Sequence, residues 1–223
     1  MLQREPITLQ QIVPLRRPPV LLFRRPYRIS KRLFDITLCL LMLPVMFIAG
    51  ALIALLIWLD DPGPVLFRQA RTGLGGQRFF MYKFRTMVTN ADELKQKYAH
   101  LNELTWPDFK ISNDPRVTRI GRILRKTSLD ELPQILNVLK GDMSLVGPRP
   151  TSFDVTTYSL WHTERLEVLP GITGLWQVSG RSDVDFDERL RLDIEYIERQ
   201  SLWFDLYILL RTVDAIFSSR GAY

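Results

Sequence analysis

The uncharged run from Ile36 to Leu59, ITLCLLMLPVMFIAGALIALLIWL, constrains this chain more than any other feature. As a helix its 24 residues reach about 36 Å, enough to cross a bilayer core of about 30 Å. A soluble core helix seldom stays this long and this apolar, so insertion into a membrane is expected. The run begins too far from Met1, behind too long a basic arm, for an ordinary secretory leader. Pro44 lies inside it, removes one backbone hydrogen bond and crowds the carbonyl of Leu40, so a kink is expected there. Arg28, Lys31 and Arg32 precede the run, and Arg68 and Arg71 follow it. Both flanks therefore prefer the cytoplasm, and a bent hairpin that re-enters from one face satisfies both, with a single span of 36–59 as the alternative. Asp35, Asp60 and Asp61 are expected where the segment meets water.

Charge separates the chain into parts. Residues 1 to 32 hold eight basic residues against Glu5, a net +7, while the whole chain carries +6 and the remainder therefore −1. A near-neutral body with a basic arm beside an apolar run points to anionic membrane lipid as a partner, not to nucleic acid. The single cysteine, Cys39, has no partner for a disulfide, and His100 and His162 stand alone. Zinc-ligand spacing and a serine or cysteine triad are both missing from this pattern. The division expected is a basic arm over 1–27, a membrane-inserted helix over 28–61 and a catalytic domain over 62–223.

Beyond the run, DDPGP (60–64) reads as a rigid turn. VLFRQARTGLGGQRFFMYKFRTM reads as a β-hairpin bent at Gly73, Gly75 and Gly76. Strand alternation sets Lys83 and Arg85 side by side on one face. Residues 90 to 104 predict a polar helix, and DPRVTRIGRILRK (114–126) a helix with Val117, Ile120 and Leu124 on its apolar stripe. Arg122 and Arg125 fall on an adjoining face. After Asp183, Phe186, Leu190, Ile194 and Ile197 form another stripe. LWFDLYILLRTVDAIF (202–217) is amphipathic through Leu206, Leu209, Leu210, Val213 and Phe217, and Trp203 and Tyr207 suit a headgroup layer. The fold class expected is α+β and mostly helical: a monotopic membrane protein with a proline-broken re-entrant helix, amphipathic interfacial helices and a small β-hairpin.

In TSLDELPQ (127–134), Asp130 and Glu131 stand side by side just before Pro133. One parse makes Ser128 the N-cap of a capping box closed by Glu131, a purely structural arrangement. The other puts Pro133 at the first helical position, with Leu132 extended before it. The two carboxylates then leave helical geometry and can converge on one point. Such a pair invites Mg²⁺, which uses one or two carboxylates plus substrate phosphate. Lys83, Arg85, Arg125, Lys126 and Arg149 supply countercharge, and Pro148 and Pro150 stiffen the chain around Arg149. Carboxylates, cations and glycine turns without a base–nucleophile triad point to phosphate-ester chemistry.

KRLFD, GPVLFRQARTG, YKFRTM, RIGRILRKTSLDELPQILNVLKGDMSLVGPRP and PGITGLWQVSGRSD occur in that order. Together they closely resemble the bacterial sugar transferases, the monotopic phosphoglycosyl transferases, over roughly Ile29 to Tyr223. The resemblance implies transfer of a sugar 1-phosphate from a UDP-sugar to polyprenyl (undecaprenyl) phosphate, with release of UMP. It implies that Asp130 attacks the phosphorus next to the sugar, and that Glu131 helps hold Mg²⁺ or orients the incoming groups. Arg125 matches a position suited to the lipid phosphate, and Lys83, Arg149 and Arg181 match positions facing the donor. Asp193 and Asp205 match supporting acidic positions, and Pro44 agrees with the family's broken membrane helix. Leu43 departs from the serine that small members often carry before this proline. GLWQVSGRSD is closer to the hexose-transferring exopolysaccharide branch, which implies glucose or galactose 1-phosphate. The implied location is the cytoplasmic face of a bacterial inner membrane. Direct single-step transfer, a non-enzymatic membrane scaffold and a homodimer are left open by the sequence.

Overall fold

A computed structural model describes residues 25–103, 111, 113–153, 160–179 and 186–217. Most of the basic arm and Arg181 lie outside the described residues. The elements run α1 (Arg25–Asp60), β1 (Leu66–Thr72), β2 (Arg78–Phe84), α2 (Ala91–Lys97), α3 (Arg119–Thr127), α4 (Gln134–Lys140), β3 (Ser144–Val146), β4 (Gly171–Thr173), α5 (Leu175–Ser179), α6 (Phe186–Glu198) and α7 (Leu202–Phe217). Helices predominate, and the sheets are two pairs: antiparallel β1–β2 and parallel β3–β4.

The apolar run belongs to one continuous helix that passes through Pro44 and begins at Arg25, inside the segment expected to be arm. A proline deletes one bond of the ladder, and the turns on either side hold the rest of a 36-residue helix.

Both flanks of α1 dock on the same body. At the first, Arg32 caps α4 by donating to the carbonyls of Val138 and, at 2.9 Å, Leu139. Asp35 accepts from Ser144 Oγ at 2.7 Å and is buried, not at a water boundary as expected. Tyr27 and Lys31 both donate to Asp205 on α7, at 2.8 and 3.0 Å, and Tyr196 donates to its other oxygen at 2.7 Å. At the second flank, Asp60 accepts from the Ile120 amide at 2.9 Å, and Asp61 takes Arg85 Nη1 at 2.7 Å. Between the flanks the surface is apolar and open, with Val45 72% and Phe47 75% exposed. Exposed apolar surface of this extent marks an interaction face.

The core gathers Cys39, Met81, Ile135, Val138, Met143, Val146, Tyr196 and Ile208 from α1, β2, α4, β3, α6 and α7. A smaller cluster joins Ile53 and Ile57 of α1 to Phe84 and Leu124. The hairpin forms as the sequence suggests, with Gly75 and Gly76 taking the positive φ its turn needs.

Two expected helices change, and a third forms as expected. The polar helix of 90–104 is α2 followed by a separate 3₁₀ turn, Ala99–Leu101. The helix expected from 114 starts at Arg119, because the Thr118 side chain caps it by accepting from the Gly121 amide. Val117 instead bridges to Met87. In α7 the core side carries Asp205 and Ile208, while Trp203, Leu206, Tyr207, Leu210 and Val213 form an exposed stripe, Trp203 at 82%. That outward face is apolar where a soluble helix would be polar.

Candidate active site

Four local decisions place Asp130 and Glu131. Ser128 ends α3 in the left-handed conformation, φ 57°, and is the one non-glycine residue with positive φ among the described residues. A 3₁₀ turn, Leu129–Glu131, follows at once. Leu132 is helical, not extended as expected, and Pro133 is the N-cap of α4. The capping box does not form, since Ser128 makes no side-chain cap bond. The dyad thus sits in a tight turn between two helices, neither of which absorbs it.

Partners arrive from two other parts of the chain. β2 brings Lys83, whose Nζ lies 2.8 Å from Glu131 Oε1 and 3.8 Å from Asp130 Oδ2. Its register depends on Asn137 of α4, which accepts from the Tyr82 amide at 3.0 Å and donates to the Phe80 carbonyl at 2.7 Å. The segment after β3 brings Arg149, whose guanidinium engages both oxygens of Glu131, Nη1 reaching Oε2 at 3.1 Å. That segment is fixed by Gly171 donating to the Pro148 carbonyl and Gly147 to the Thr173 carbonyl, each at 2.9 Å. A side chain at Gly147 would meet the Leu169 carbonyl at 2.5 Å, so the approach requires glycine.

The carboxylates differ in state. Burial alone would raise Glu131, yet Arg149 and Lys83 hold it far below the usual carboxylate range. Glu131 is therefore a permanent anion tied at both oxygens. Burial pushes Asp130 up, Lys83 opposes this, Glu131 adds to it, and Arg149 and Arg125 oppose it again. Asp130 is 8% exposed and, among the described residues, accepts no hydrogen bond. One carboxylate is held, the other is available.

The remaining expected residues divide. Arg125 donates Nε to Thr86 Oγ1 at 2.9 Å. Arg85 does not meet the dyad: its amide continues the pairing with β1 by donating to the Val65 carbonyl at 2.9 Å, and its guanidinium is committed to Asp61. Asp205 stands at the α1–α6–α7 junction, away from the dyad's partners. Asp193 pairs with Arg165 at 2.7 Å, and Arg165 reaches the Arg149 carbonyl. Sequence reasoning passed over Arg165 and Asn137. Asn137 had a signal, a polar residue inside the apolar ILNVL, whereas Arg165 had none.

Among the described residues no three His, Cys, Asp or Glu side chains cluster to cage a metal. The donor set fits a cation held by Asp130 and completed by phosphate oxygens and water, the habit of Mg²⁺. Glu131 would join only by giving up Lys83 or Arg149.

The model of the bacterial sugar transferase family matches residues 26–219. This chain belongs to the bacterial sugar transferase family. It is 46% identical over 210 residues to the undecaprenyl-phosphate galactose phosphotransferase of Salmonella typhimurium, covering 91% of this chain and 43% of that protein. A second relative, the exopolysaccharide production protein ExoY of Rhizobium meliloti, is 41% identical over 87% of this chain and 88% of its own length. The UDP-glucose:undecaprenyl-phosphate glucose-1-phosphate transferase of Caulobacter vibrioides is 42% identical over 87% of this chain and 72% of its own. Against some relatives, then, the chain spans less than half their length.

Proposed function

We propose that this chain transfers a hexose 1-phosphate, glucose or galactose 1-phosphate, from a UDP-sugar to undecaprenyl phosphate and releases UMP. The observation that carries the reading is the asymmetry of the dyad: Glu131 is tied at both oxygens while Asp130 is near-buried and unbonded. An Asp130 oxygen attacks the phosphorus next to the sugar, the bond to UMP breaks, and UMP leaves with the electron pair. A phosphate oxygen of the lipid then attacks the same phosphorus, and the Asp130 carboxylate is released. Splitting the transfer lets each substrate use one small site in turn. Lys83 and Arg149 hold Glu131 beside the reacting group and set the positive field that phosphoryl transfer requires. Arg125 receives the lipid phosphate. Mg²⁺ on Asp130 supplies neutralisation of phosphate charge when bound. The sugar-linked product serves exopolysaccharide or other surface-glycan synthesis.

The membrane reading follows the same surfaces. The open apolar middle of α1 enters the bilayer and returns to the face it left, which agrees with both flanks docking on one body. The outward stripe of α7 lies at headgroup depth, with anionic lipid drawn by the basic arm. In this reading the catalytic domain lies on the cytoplasmic face of the inner membrane.

The test is exchange of labelled UMP into UDP-glucose or UDP-galactose without lipid acceptor. The two-step route predicts exchange that Asp130→Asn abolishes, along with any phosphosugar adduct in intact-protein mass spectrometry. Turnover without exchange points to direct single-step transfer. A scaffold with no catalysis would leave UMP unreleased from every UDP-sugar offered.

A further inference from the structure

We propose that Arg165 is a positioning residue for this site, fixing the main chain at Arg149 so that the Arg149 guanidinium stays on Glu131. The inference rests on the reading of the dyad as the reaction centre. Arg165 is 6% exposed and lies on the 3₁₀ turn Leu160–Glu167. Its Nη2 donates to the Arg149 carbonyl at 2.5 Å and lies 2.7 Å from Asp193 Oδ2. Asp193, on α6, is 1% exposed. A guanidinium buried this deeply needs a counterion, and Asp193 supplies it.

The position of the contact gives Arg165 its role. The segment from Gly147 to Phe153 carries Pro148 and Pro150, which have no amide to donate. Upstream it is anchored where Gly171 donates to the Pro148 carbonyl at 2.9 Å. Downstream, Thr72 donates to the Thr151 carbonyl and Arg78 Nη1 to the Ser152 carbonyl, both at 3.0 Å. Between these anchors stands the Arg149 carbonyl, held by Arg165. An ion pair with Asp193 alone would not need that carbonyl. Lysine in place of Arg165 keeps the charge opposite Asp193 but lacks the planar guanidinium whose Nη2 stands between that carboxylate and the Arg149 carbonyl.

The experiment measures UMP release and hydrogen exchange for the full chain and for Arg165→Lys, Arg149→Lys and the double variant. Arg165→Lys is expected to lower kcat about tenfold or more and to raise amide exchange in 147–153 while α6 stays protected. In the Arg149→Lys background it is expected to add no further loss, because both changes act through one guanidinium. Multiplying losses, or unchanged exchange in 147–153, overturn the proposal. Should Arg165→Lys fail to fold, the same cycle is run on Arg165→Gln/Asp193→Asn, which removes both buried charges. The exchange readout needs no turnover, so an unmodified chain that releases no UMP sinks the enzymatic reading by itself.

Discussion

Lys83 and Glu131 meet at 2.8 Å across 48 positions of sequence, and the same ammonium stands 3.8 Å from Asp130. One cation from a strand therefore serves two adjacent carboxylates on a turn between helices. Removing it leaves Asp130 beside an anion with less to offset the repulsion.

Lys83→Met is accordingly expected to lower kcat/KM for UMP release by about 10²–10³, the usual cost of deleting one electrostatic partner of a reacting group. Arg149 still holds Glu131, so the melting temperature should fall by only a few degrees. A large fall in melting with little kinetic effect would make Lys83 a structural residue.

Arg85→Met is expected to do the reverse. Its guanidinium ties β2 to Asp61 at the end of α1 and is largely buried. Breaking that link should cost roughly 3 kcal/mol of stability, read by thermal unfolding in detergent. Activity per folded molecule should stay within severalfold, whereas a loss of 10² or more at normal melting would return Arg85 to the site.

Gly121→Ala puts a methyl 2.1 Å from the Thr86 carbonyl. Alanine favours a helix over glycine by about 1 kcal/mol, but the clash forces α3 away from the strand end and should destabilise by a net of roughly 2 kcal/mol. Thr86 also holds Arg125 at 2.9 Å, so the KM for lipid acceptor should rise with it. An alanine variant as stable as the parent would show that α3 can shift freely.

Asp193 gives a pH signature. Burial pushes it up to about 6 despite Arg165 and Arg189. A carboxyl raised in the folded state binds its proton more tightly there than in the unfolded chain. Its stabilising contribution is complete below the ordinary carboxylate value and is lost as pH rises through about 6. Asp193→Asn should therefore flatten the decline in unfolding free energy between those limits, measured by denaturant titration. An unchanged slope would mean that Arg165 keeps Asp193 ionised throughout.

Much of this fold is legible in the sequence because its signals are local. The apolar run, the glycine-bent hairpin and the turn before Pro133 each rest on neighbouring residues. What sequence could not supply is long-range pairing. Strand alternation set Arg85 beside Lys83, but their partners lie far apart in sequence: Lys83 meets Glu131, while the Arg85 guanidinium meets Asp61 at the end of α1. Leu132 was expected to be extended before a proline, yet the 3₁₀ turn at Leu129–Glu131 carries helical geometry straight into Pro133. Asp35 resembled a boundary residue until Ser144 of β3 supplied a buried partner.

Clamping both flanks of α1 to one folded body has a bearing on assembly. On the proposed re-entrant reading, a segment fastened at its two ends enters lipid as a loop of the domain, so only its apolar middle has to change solvent. No charged flank would cross, and no translocation of polar chain would be required. Extracting the loop would mean parting Arg32 from α4 and Asp60 from α3, which would make attachment to the bilayer as durable as the fold.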